Sequence, residues 1–127
     1  MLSNLFSKKD AISFPWKELI SAEQLNELDS ASKEKPVVIF KHSTRCSISA
    51  MTLNRFERSD IGDLAFEPYF LDLIAHRDVS NLVAERYGVK HESPQAILIR
   101  GGKAKYDASH MGISYDELNS EAEKFRE

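Results

Sequence analysis

The chain has 127 residues, 42% hydrophobic and 29% charged, with a net charge of −3 and an isoelectric point near 5.8. That is the size of one domain, able to bury about two thirds of its unfolded surface. Lysines and arginines are scattered among acids, which argues against nucleic acid, and the longest apolar runs fall far short of a membrane span.

Residues 1–13 are polar and mixed, and are expected to form a flexible arm ahead of one domain over 14–127. They lack a charged start followed by an apolar core, so no secretory signal is expected. Phe14 to Ile20 holds a candidate short strand. Ser21-Ala22-Glu23-Gln24 matches a capping box, with Ser21 as cap and Gln24 reaching back. The helix it opens carries Ala22, Leu25, Leu28 and Ala31 at the spacing of one apolar stripe, and dissolves at Ser32-Lys33-Glu34-Lys35-Pro36.

Val37 to Phe40 is a short β-branched and aromatic run, as in a strand buried on both faces. Ser43 and Thr44 break it. Ile48, Ala50, Met51, Leu53 and Phe56 then continue as a helix whose apolar positions spread around most of its circumference. That spread predicts a helix packed on the sheet and touched from its sides. Cys46, the only cysteine, falls at the strand–helix junction. A thiol there meets unpaired N–H groups and the positive end of the helix dipole, which favour a thiolate, and Arg45 adds a cation. One cysteine cannot form an internal disulfide, and an oxidising compartment would expose it to uncontrolled pairing, so the cytoplasm is expected.

Gly62-Asp63 makes a turn before a strand at Tyr69 to Leu73. Asp78 is the expected cap of a helix with Val79, Leu82, Val83 and Tyr87 inward, stopped by Gly88. A loop leads through Pro94 to a strand at Ala96 to Ile99. Gly101-Gly102 turns into an edge strand over Lys103 to Asp107. Ser114-Tyr115-Asp116-Glu117 is a second capping box, opening a helix through Leu118, Ala122 and Phe125. A βαβ half followed by a ββα half predicts an α/β, thioredoxin-like fold with a central mixed sheet of four to five strands flanked by helices. Cys46-Ser47-Ile48-Ser49 sits where such folds carry Cys-x-x-Cys, and Ser93-Pro94 where they carry a cis-proline facing the sulfur.

The segments Lys41-His42-Ser43-Thr44-Arg45-Cys46-Ser47-Ile48-Ser49, His91-Glu92-Ser93-Pro94-Gln95 and Ala108-Ser109-His110 together resemble the monothiol bacilliredoxin family. These are small thioredoxin-like bacterial proteins that use bacillithiol in place of glutathione. The likeness runs from about Phe14 to the end. The family's site usually reads Thr-Cys-Pro-Ile-Ser, and this chain departs twice: Arg45 stands directly before the sulfur, and Ser47 replaces the following proline. Ser47 restores a backbone N–H near the thiol and gives up proline's fixed φ.

The resemblance implies a thiol–disulfide oxidoreductase that removes bacillithiol from S-bacillithiolated protein cysteines through Cys46 alone, with an external thiol for regeneration. Bacillithiol is then a co-substrate, and no cofactor is expected. Arg45 and Ser49 join Cys46 as candidate catalytic residues. Ser49 would either donate to the thiolate or be a solvated hydroxyl. Thr44, Ser47, Ser93, Pro94, His91 and His110 are candidates for substrate contact. Capping alone would account for Ser43 and Thr44, and a turn proline for Pro94. His42, His91 and His110 are singly best read as structural histidines, His91 and His110 gaining a role only from the resemblance. One sulfur and four scattered histidines do not make a zinc pattern, so no metal site is expected. Alternatives are a glutaredoxin-like monothiol protein using glutathione or an iron–sulfur cluster, an arsenate reductase-like protein, a one-cysteine peroxiredoxin, and a non-catalytic redox sensor or adaptor. Cluster-binding glutaredoxins carry Cys-Gly-Phe-Ser where this chain has Cys46-Ser47-Ile48-Ser49.

Overall fold

The structure, a computed structural model, describes residues 14–126; the expected arm over 1–13 lies outside them. In chain order the elements are β1 (Lys17–Glu18), α1 (Glu23–Ala31), β2 (Val37–His42), α2 (Ser47–Glu57), β3 (Glu67–Asp72), α3 (Arg77–Tyr87), β4 (Gln95–Arg100), β5 (Lys103–Ser109), a 3-10 turn (His110–Gly112) and α4 (Tyr115–Glu123). The five strands form one sheet in the order β1-β3-β2-β4-β5. β1 and β2 each run parallel to β3, whereas β4 is antiparallel to both β2 and β5.

β2 sits at the centre because its residues suit burial on both faces. Val38 and Phe40 join Ala96, Leu98, Phe56, Leu118 and Ala122 in the core under α2 and α4. Val37 and Ile39 join Ile97, Ile99, Leu25, Leu28, Val79 and Val83 under α1 and α3. Each such large side chain contributes about 1.5–3 kcal/mol when fully buried. The alternation of strand side chains therefore feeds two cores from one continuous apolar run.

Punctuation follows the sequence with local differences. Gly88 ends α3 in a left-handed conformation (φ 64°), and Gly101-Gly102 (φ 64° and 74°) makes the β4–β5 turn, both angles that favour glycine. The two capping boxes each close by one half only. Gln24 Oε1 accepts from the Ile20 and Ser21 amides (2.6 and 3.1 Å), while the Ser21 side chain does not cap α1. Ser114 Oγ accepts from the Glu117 amide at 3.2 Å, but the Glu117 carboxylate accepts from the Tyr106 hydroxyl instead. Asp78 lies in the first turn of α3 and His76 holds the cap position. Leu82 and Ala22, expected inward, are exposed. α2 departs furthest: its buried residues are Ser49, Thr52 and Phe56, while Ile48 and Met51 face solvent at 45% and 57% exposure. Its apolar positions are not all covered from the sides.

Candidate active site

β2 brings Lys41 and His42 to the end of the sheet, and Ser43 follows before the chain turns into α2. The turn is closed by Ser43, whose Oγ accepts from the Arg45 amide (3.3 Å) and whose carbonyl accepts from the Cys46 amide (3.2 Å). Ser43 thus shapes a turn and does not cap the helix. Thr44 and Arg45 are exposed. Cys46 itself is the N-cap residue of α2, extended at φ −119° and ψ 120°, with its carbonyl accepting from the Ala50 amide at 3.1 Å. Its thiol is half-buried. A charge there lies at the positive pole of α2, beside amides that have no carbonyl four residues back within the helix.

Beneath the turn, Ser49 is fully buried. Its Oγ accepts from the Ser43 amide (3.1 Å) and lies 2.8 Å from His42 Nδ1. Neither expected reading of Ser49 describes this: it is not a solvated hydroxyl, and the hydrogen bonds it makes run to His42 and Ser43. Burial holds His42 below its ordinary pKa of 6.5, opposed by the carboxylates of Asp72 and Glu57. A neutral imidazole accepting at Nδ1 from the Ser49 hydroxyl satisfies both groups and leaves the proton on Nε2.

The second wall comes from the start of β4. Lys41 and Gln95 are direct partners across the β2–β4 ladder, and continuing that register sets Pro94 beside His42. The Ser93–Pro94 peptide bond is cis. The Pro94 carbonyl accepts from the His110 amide at 2.9 Å, joining this loop to the 3-10 turn, which packs against α2. Glu92 and His110 form an ion-pair contact of 3.3 Å between Oε1 and Nε2, with His110 at a positive φ of 53°. His91 is exposed. Partial burial and the cations of Lys41 and Arg77 lower its pKa, against the pull of Glu92. Ser93 Oγ is buried without a hydrogen-bond partner among the described residues. The fold therefore gathers Thr44, Arg45, Cys46, Ser47, Pro94 and His110 at one end of the sheet. His42 goes to a buried seat on the α2 side. Among the described residues no three His, Cys, Asp or Glu side chains converge as metal ligands.

Sequence reasoning passed over Lys41 and Gln95. Lys41 is fully buried, with Nζ 3.2 Å from Gln95 Oε1. Burial first, then Arg77, lowers its pKa from 10.5 to about 8, with Glu92 acting in the opposite direction. The signal was available: extending the alternation of Val37, Ile39 by one step puts residue 41 on the same inward face. A lysine buried there needs a partner.

A single thiol at the N-cap of the helix that follows a central strand, next to a cis-proline loop, defines a thioredoxin-fold thiol protein. Similar solved structures agree. A provisionally assigned oxidoreductase with a thioredoxin fold is 28% identical, with a TM-score of 0.72 over 93% of this chain and 98% of that one. A thioredoxin from Malassezia sympodialis (17% identity, TM-score 0.65, 88% and 91% covered) and one from Schistosoma mansoni (19%, 0.66, 87% and 94%) share the fold. The family model described as "Monothiol bacilliredoxin BrxC" matches residues 17–118. The chain belongs to the monothiol bacilliredoxin family, and its chemistry is thiol redox chemistry of the thioredoxin-like oxidoreductases. No helix among the described residues is long and apolar enough to cross a membrane.

Proposed function

We propose that this protein removes bacillithiol from S-bacillithiolated client proteins by a one-cysteine exchange. The Cys46 thiolate attacks the bacillithiol sulfur of the mixed disulfide. A new S–S bond forms between Cys46 and bacillithiol, the old S–S bond breaks, and the client sulfur leaves as a thiolate that takes a proton from water. An external thiol then attacks the bacillithiol sulfur on Cys46 and restores the free thiolate. Bacillithiol is a co-substrate throughout, and the cycle asks for no bound cofactor. It runs in a reducing compartment, which for this chain we take to be the cytoplasm.

The observation that carries this reading is the pairing of a half-buried Cys46 at the N-cap with Ser49, not a second sulfur, one turn along. Ser49 is bonded to His42 and Ser43 and so is built into the floor of the site, and a hydroxyl, having no sulfur, cannot resolve a disulfide. Arg45 and the first amides of α2 would face the negative charge shared among the sulfurs in the exchange. The Ser93 peptide edge before Pro94 would pair with substrate backbone as an added strand does. Thr44, Ser47, His91 and His110 would serve as substrate contacts. Ile48, Met51 and Met111, exposed at 45%, 57% and 59%, give the client an apolar surface.

The test is mass spectrometry of the protein incubated separately with oxidised bacillithiol and oxidised glutathione, followed by turnover on a bacillithiolated client. Rapid adduct formation at Cys46 with bacillithiol but little with glutathione, and repeated turnover with reductant, are expected. Cys46→Ser is expected to abolish both with the fold intact. Equal labelling by the two disulfides would overturn the choice of thiol. A single modification without cycling would make the protein a sensor.

A further inference from the structure

Lys41 has no part in the exchange proposed for Cys46, yet it places a buried amine near the end of the central strand, where an apolar side chain would serve packing. Its hydrogen-bond geometry suggests why it is there. Lys41 Nζ is 3.2 Å from Gln95 Oε1, the Gln95 Nε2 donates to the Lys90 carbonyl at 3.0 Å, and the Glu92 amide donates to Gln95 Oε1 at 3.4 Å. Lys41 and Gln95 are both at most 1% exposed. One buried amide thus gathers two backbone groups of the loop before Pro94 and anchors them to the strand that leads to the thiol. Pro94 follows directly, and its carbonyl holds the His110 amide.

We propose that Lys41 and Gln95 form a buried clamp that positions the cis-proline loop against Cys46, making Lys41 a positioning residue for thiol exchange. Lys41 points away from α2, on the Ile39 face of β2, whereas the thiol lies at the start of α2. Its influence therefore runs through the loop. Arg77 from α3 and His91 and Glu92 from the loop are the charged and titratable groups that surround it. The Lys41 charge leaves Gln95 one preferred orientation, with its oxygen toward β2 and its nitrogen toward the loop. That orientation is what makes both loop contacts possible.

The test compares the parent with Lys41→Met and Gln95→Leu in three measurements. The first is the rate of exchange with a peptide carrying a bacillithiol mixed disulfide. The second is the rate of Cys46 alkylation by iodoacetamide, a small reagent that needs no loop. The third is amide hydrogen exchange at Glu92 and His110. Both variants are expected to lose about tenfold to a hundredfold in disulfide exchange, as expected for a misplaced reacting group. They should keep the parent's alkylation rate and exchange the two amides faster. The double variant should be no slower than the slower single one. Alkylation slowed as much as exchange would mean that Lys41 acts on the thiol itself, and would overturn the clamp. So would unchanged amide exchange, or faster amide exchange with unchanged disulfide exchange. Should Lys41→Met fail to fold, Gln95→Leu decides on the same readouts. The disulfide arm rests on the function proposed above. If the parent itself does not exchange, that function falls, and the amide measurement alone decides the clamp.

Discussion

Lys41→Met should make the protein more stable at neutral pH. Folding lowers the Lys41 pKa from 10.5 to about 8, chiefly through burial. At about 1.36 kcal/mol for each pKa unit, the charged amine costs the folded state roughly 3 kcal/mol at pH 7. Methionine has similar length, fits irregular spaces and carries no charge. It forfeits the hydrogen bond to Gln95, worth about 1 kcal/mol. The net expectation is a gain of about 2 kcal/mol. The sign against pH follows from proton counts. Between pH 8 and 10.5 the unfolded chain holds the Lys41 proton and the folded chain has shed it, so the parent gains stability as pH rises through that window. Lys41→Met lacks this gain, and its advantage should shrink to near zero by about pH 9.5. Urea unfolding of both proteins at pH 7 and 9.5 measures the difference, and comparing the two cancels the tyrosines that titrate nearby. A variant less stable at pH 7, or an advantage independent of pH, would refute the reasoning.

Three further outcomes follow from the floor of the site. Ser49→Ala strips partners from the Ser43 amide and from His42 Nδ1, and should cost about 1–3 kcal/mol in chemical denaturation. Because burial lowers the His42 pKa, the unfolded chain takes up a proton below 6.5 before the folded one does. The parent should therefore lose stability as pH falls through that value, a component missing from His42→Gln. Ser49→Cys places a second sulfur one turn from Cys46 and should create an internal disulfide on oxidation. Intact mass would show the loss of two hydrogens, and a persistently free thiol pair would count against the placement of residue 49.

The elements were legible wherever a local rule determined them. Val37 to Phe40 and Ala96 to Ile99 are too short and too apolar to be anything but central strands, and the glycines at 88, 101 and 102 stand where positive φ was required. Both capping boxes were found, but which half of each would close depends on distant partners such as Tyr106, which no four-residue motif contains. Ile48 and Met51 misled for a different reason. Apolar residues on a helix normally mean a covering neighbour; beside a reactive thiol they are left bare. Cys46 was visible because it was unique. The hydrogen bonds of Ser49 and Lys41 were not, because both depend on pairings that only the folded register brings about.

Those two buried polar side chains divide the site's work. Ser49 occupies the place of a resolving thiol and directs its hydroxyl inward, to a neutral histidine and the amide of Ser43. It thereby fixes the turn that presents Cys46. On the opposite face of the same strand, Lys41 orients Gln95, which fixes the loop that presents Pro94. β2 thus aligns both halves of the site through consecutive residues, His42 toward α2 and Lys41 toward α3. A strand this apolar would fold more stably with a hydrophobic residue at position 41. Polar groups that lower stability and serve no packing purpose are expected where geometry near a reactive atom matters more than stability. On this view the single cysteine is not an incomplete pair. Where a resolving cysteine would stand, Ser49 is a structural hydroxyl, and in the proposed exchange the second thiol comes from solution.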